Sequence, residues 1–94
     1  MSYIYQGFRV NIKLGRYYGG NLAVQLEEED GQPFATASIN VKELDLAGGE
    51  FVCKDYSENE GMLNFLLSNG IAEDTGRKVN TGYVNSSILK LITQ

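Results

Sequence analysis

Ninety-four residues, 43% of them hydrophobic and 21% charged, describe one globular domain with room for a single thin core. The composition excludes a disordered chain, and no run approaches the roughly 18 apolar residues that a membrane span requires. The formal charge of −4 is unevenly placed: residues 1–26 carry Arg9, Lys13 and Arg16 with no acid, whereas residues 27–60 carry ten acids against Lys42 and Lys54.

In chain order, the first segment, Met1-Ser2-Tyr3-Ile4-Tyr5-Gln6-Gly7, lacks the basic and apolar blocks of a secretory signal. With Cys53 as the sole cysteine, no internal disulfide forms, and a cytoplasmic location is expected. Phe8, Val10, Ile12 and Leu14 alternate with Arg9, Asn11 and Lys13, which predicts a half-buried strand ending at Gly15. A Gly-rich turn through Tyr17, Tyr18, Gly19, Gly20 and Asn21 leads to a second strand with Leu22, Val24 and Leu26 on one face. Asp30-Gly31 predicts a hairpin turn, and residues 34–41 then pair back as a third strand behind Pro33.

Residues 42–50 read as a connection and residues 50–54 as a short fourth strand. The helix is expected over about residues 57–69. Ser57 would be its N-cap, with Glu60 completing a capping box, and Asn69-Gly70 its stop. Residues 73–78 read as a polar loop, Tyr83 and Val84 as the start of a last strand, and residues 87–92 as either a short helix or a buried strand. The expected fold is α+β: a small antiparallel sheet of about four to five strands packed against one main helix, in a single domain over residues 1–94.

Several chemistries are excluded by counting. The chain has no histidine, which removes the common Ser-His-Asp and Cys-His nucleophilic sites. With one cysteine and no histidine, a structural zinc site lacks ligands. The acids Glu27, Glu28, Glu29 and Asp30 crowd one turn, and nothing in the sequence separates their pKa values as a catalytic pair needs. The run from Asp55 fails the EF-hand pattern, because Glu60 stands where glycine is required and Leu66 where glutamate is required. The segment from Gly15 to Asn21 enters a strand, not the helix that a phosphate-cradling loop opens. Cys53, beside Phe51 and Val52, reads as a small core residue. No catalytic residue, metal or cofactor is assigned, and a non-enzymatic role is expected.

The acidic middle third disfavours direct binding to nucleic acid and suits a basic protein surface. Candidate binding residues are Glu27, Glu28, Glu29 and Asp30 on the hairpin, and Asp55, Glu58 and Glu60 before the helix. Tyr17, Tyr18 and Tyr56 are the candidate aromatic anchors.

Three stretches carry a resemblance: Leu22-Ala23-Val24-Gln25-Leu26 after Gly19-Gly20-Asn21; Gly31-Gln32-Pro33-Phe34-Ala35-Thr36; and Asn69-Gly70-Ile71-Ala72 followed by Thr75-Gly76-Arg77 and Gly82-Tyr83-Val84. Together they resemble a family of small uncharacterised proteins carried on plasmids, conjugative elements and phages of Gram-positive bacteria. The likeness covers most of residues 18–84, and Asn85-Ser86-Ser87 departs from the family's aromatic, proline-containing C-terminal strand. The resemblance implies an accessory protein of a mobile element, of the kind that inhibits CRISPR or restriction enzymes by occupying their basic channels. The alternative is a self-associating structural or regulatory module in plasmid or conjugative-element maintenance, which would form a homo-oligomer. No membrane partner is expected.

Overall fold

The structure, a computed structural model, describes residues 2–41, 44–82 and 84–92. The chain order is β1 (Tyr3–Tyr5), β2 (Phe8–Arg16), β3 (Leu22–Glu28), β4 (Pro33–Thr36), β5 (Ser38–Ile39), β6 (Glu50–Cys53), a 3-10 turn (Ser57–Asn59), α1 (Met62–Ser68), β7 (Ala72–Asn80) and β8 (Asn85–Leu91). The strands form two antiparallel sheets of four, ordered β1-β2-β3-β4 and β5-β6-β8-β7. The α+β class agrees with the expectation, but the single sheet is replaced by two.

The first sheet is a meander, as alternation and turn chemistry dictate. Leu22, Val24 and Leu26 of β3 are buried, and β2 adds Val10 and the half-buried Ile12. At the Asp30-Gly31 turn, Gly31 takes φ 90°, and its N–H donates to the Glu28 carbonyl at 2.9 Å. Phe8 and Leu14 lie on the same alternating face as Val10, yet are 58% and 39% exposed. Because the nine-residue β2 overhangs the core at both ends, alternation overpredicts their burial.

The expected third strand, residues 34–41, divides at Ala37. Its N–H donates to the Val24 carbonyl in the first sheet, and its carbonyl accepts the Lys54 N–H beside the second, both at 2.8 Å. Ala37 and Ser38 are buried, and their small side chains permit this close approach. Ser38 reinforces the crossing, its Oγ accepting the Val24 N–H at 2.9 Å.

The expected polar loop at residues 73–78 is instead part of β7. This edge strand faces water, so only Thr75 and Val79 are half-buried and no apolar alternation announces it. It pairs with β8 across a register shift between Asp74 and Lys78. The ambiguous segment 87–92 lies largely in β8, with Ile88, Leu89 and Leu91 buried. Val84 precedes that strand, accepting the Thr81 N–H in its connecting turn, and the assignment of Tyr83 lies outside the described residues.

The helix is shorter than expected and differently capped. Ser57 sits at φ 59° in the 3-10 turn, and the helix N-cap position belongs to Gly61, at φ 95°. Asp55 supplies the capping oxygen from eight residues away, accepting the Leu63 N–H at 2.8 Å. At the other end, Ile71 N–H bonds the Leu66 carbonyl and Gly70 N–H the Leu67 carbonyl, the Schellman pattern expected from Asn69-Gly70. Met62, Phe65 and Leu66 enter the core with Phe51, Leu26, Val10, Val24 and Leu89. Each large apolar side chain buried there contributes about 1.5–3 kcal/mol. No helix among the described residues is long and apolar enough to cross a membrane.

Candidate functional site

The meander decides which predicted residues can act together. Its turns alternate ends, so the β1–β2 turn at Gln6-Gly7 and the β3–β4 turn at Glu29-Asp30 share one end. With strands about 4.8 Å apart, these turns are neighbours at roughly 10 Å. The Gln6 Nε2 donates to the Glu58 carbonyl at 3.3 Å, placing the 3-10 turn against this same end. Glu28, Glu29 and Asp30 therefore gather with Glu58 and Glu60, on either side of the β1–β2 turn.

An aromatic row runs to this end from α1. Tyr3 and Tyr5 meet Phe65 with centroids 6.2 and 5.0 Å apart, Tyr5 meets Phe34 at 6.1 Å, and Phe34 meets Phe8 at 5.3 Å. The bulge between Leu26 and Glu27 accommodates Phe34 as the additional residue of β4 opposite β3. Phe8 terminates the row in solvent. It lines an open depression with Arg9, Glu28, Glu29 and Asp30. A separate groove of about 290 Å³ is lined by Ile4, Gln6, Glu60, Gly61 and Asn64 among others.

Few of these carboxylates are neutralised. Glu29 approaches Arg9 at 3.8 Å, a contact exposed on both sides and therefore weak. Glu58 binds Lys54 at 2.5 Å; this hydrogen bond holds the Glu58 carboxyl below its usual value and the Lys54 ammonium above its own. One Asp30 oxygen accepts the Gln32 N–H at 3.1 Å and shapes the turn. Glu28 and Glu60 make no ion pair among the described residues.

The remaining candidates lie elsewhere or serve the fold. Glu27 alternates to the face of β3 opposite that of Glu28, facing Asn11 and Pro33 across the ladder. Asp55 is engaged as the helix cap. Tyr56 is half-buried beneath Lys54, whose Nζ stands 5.7 Å from the ring centroid. Tyr17 and Tyr18 occupy the β2–β3 turn, a strand length or about 25 Å away. Tyr17 is structural, its hydroxyl bonding the carbonyl and Oγ of Ser38 at 3.1 and 2.8 Å, while Tyr18 is fully exposed.

A further cleft of about 280 Å³ is lined by Cys53, Asp55, Tyr56, Leu63, Lys78 and Ser87 among others. Burial, helped by the charges of Asp55 and Asp74, pushes the Cys53 thiol up to about 12, so a nucleophilic thiolate is disfavoured there. The Lys78 ammonium donates to Ser87 Oγ at 3.0 Å. No group of three or more acids or cysteines among the described residues is placed to hold a metal ion. Phe8 is the residue sequence reasoning missed: alternation assigned it to the core, and its one distinguishing signal is its place at the first position of a strand after a Gln-Gly turn. Comparison with protein families, curated proteins and solved structures finds no match to this chain.

Proposed function

We propose that this protein is a non-enzymatic binding module that engages a basic protein surface through its acidic end. The observation carrying this reading is an exposed phenyl ring, Phe8, packed from behind by Phe34 and flanked by Glu28, Glu29 and Asp30. An aromatic anchor beside three carboxylates, with Arg9 the one cation lining the same depression, fits the anatomy of a binding hot spot, the carboxylates steering a cationic partner and the phenyl ring supplying desolvated area. The role favoured by the sequence resemblance is an accessory protein of a plasmid or phage, acting in the cytoplasm on a basic nucleic-acid enzyme such as a CRISPR or restriction nuclease. A negative surface inhibits such an enzyme by occupying its channel, and needs no catalytic group.

The test is affinity capture from a nuclease-treated host lysate containing such enzymes, at low and high salt, followed by titration of the captured partner. The expected result is a basic enzyme bound at low salt and released at high salt. Phe8→Ala should then weaken binding by about tenfold or more, and Glu28→Lys with Glu29→Lys should weaken it further at low salt. A verified complex indifferent to both changes would sink the acidic-end reading.

A further inference from the structure

We infer that the free edge of β2 is a docking site for an extended acidic segment of a partner protein, which would add to the first sheet as a further strand. β1 covers only the start of β2, through the pairs Tyr3 with Val10, Ile4 with Arg9 and Tyr5 with Phe8. Residues 11–16 have β3 on one side and no described strand on the other. The backbone groups at issue follow from the ladder. The Tyr17 N–H donates to the Asn21 carbonyl at 2.8 Å, so Tyr17, and by alternation Gly15, Lys13 and Asn11, bond toward β3. Ile12, Leu14 and Arg16 therefore aim their N–H and C=O groups at the open side. The far side of β3 gives the same answer independently. Val24, opposite Leu14, bonds with its N–H to Ser38 Oγ and with its carbonyl to the Ala37 N–H, both away from β2.

The other long edge is protected. β7 is interrupted by the irregularity between Asp74 and Lys78 and carries two acids, Glu73 and Asp74, followed by two bases, Arg77 and Lys78. β4 carries Pro33, which has no N–H to offer. β2 has neither a bulge nor a proline in this segment, its charges Lys13 and Arg16 are of one sign, and its register with β3 is unbroken over seven pairs.

Charge selects the occupant. Residues 1–26 contain bases and no acid. Lys13 is exposed and makes no ion pair among the described residues, and Arg16 reaches only the Gly20 carbonyl at 3.4 Å. A second copy paired antiparallel on this edge would bring two Lys13 and two Arg16 side chains into one short ladder, an arrangement that like charges oppose. A partner strand with acids on alternate positions meets Lys13 on one face. On the other it meets the half-buried Ile12 and the part-exposed Leu14. This site is independent of the acidic end and stands or falls separately from it.

The test uses the ¹⁵N-labelled full chain with a ten-residue peptide of alternating Asp and Val, and a control peptide of alternating Lys and Val. With the acidic peptide, hydrogen exchange at Ile12, Leu14 and Arg16 should slow by about tenfold or more, while Asn11, Lys13 and Gly15, already in the β2–β3 ladder, should not change. The Lys peptide should have no such effect. Leu14→Pro removes one outward N–H without touching a bond to β3 and should abolish the protection. Should that variant fail to fold, Lys13→Glu serves instead, and should shift the preference to the Lys peptide. Failure of the acidic peptide to bind, or binding that protects other amides, would overturn the inference. Protection already present without peptide, together with a dimer in sedimentation, would overturn it in favour of a second copy.

Discussion

Glu50 is a buried carboxylate whose tolerance depends on two partners. Arg77 reaches it from β7, and the Ala47 N–H donates to its Oε1 at 2.9 Å. These contacts, the Arg77 hydrogen bond first, hold its carboxyl below the ordinary value of 4.5. A carboxylate depressed by folding stabilises the native state above its unfolded value, and that contribution is lost as pH falls through the folded value. Stability in urea should therefore decline as pH drops below about 4.5, the ordinary carboxyl value. Glu50→Gln should be less stable than wild type at pH 7 and show a shallower acid decline; equal slopes for both proteins would contradict this. Glu58, depressed by Lys54 in the same direction, leaves a residual slope in the variant. None of this pairing is visible in the sequence, because Glu50 and Arg77 are 27 residues apart and meet only across the second sheet.

Among the elements, the helix shows how a correct assignment can rest on a wrong local reason. Its apolar face and Asn69-Gly70 stop are legible because both are short-range patterns. The Ser57 capping box is not formed: the left-handed turn at Ser57 and Gly61 brings Asp55 to the helix start instead. Asp55→Ala should cost about 1 kcal/mol in chemical unfolding, and Asp55→Asn much less, since its amide oxygen still accepts. Ser57→Ala should change stability by under about 0.5 kcal/mol. The reverse ranking would restore the capping box. β7 escaped detection for a related reason: past Ala72 it is mostly exposed on both faces, so it lacks the apolar alternation that a strand with one core face and one wet face would show.

Over the whole molecule, the two sheets are sewn together at Ala37 and Ser38, so neither should open without the other. Cys53 lies in the core between them and reports on that coupling. At pH 8 a thiol pushed up to about 12 and sealed from solvent should not react with Ellman's reagent. In urea, one thiol should become reactive, with the same midpoint as the loss of circular dichroism. Reaction in native buffer within minutes would mean that the second sheet opens alone. The proposed acidic end also exists only at this scale, because acids from the hairpin and the 3-10 turn converge through topology. Of the ten candidate residues, Glu28, Glu29, Asp30, Glu58 and Glu60 share it, while Tyr17 and Tyr18 lie at the far end.

Composition, alternation and turn chemistry determined the α+β class, the β2–β3–β4 meander, the helix and the buried Cys53, because each depends on contacts within a few residues or on counts. Tertiary structure alone decided that there are two sheets, that residues 73–78 form a strand, that Asp55 caps the helix and that Phe8 is exposed among carboxylates. Those outcomes depend on where the core ends and which distant segment lies alongside, and periodicity within a strand carries neither quantity.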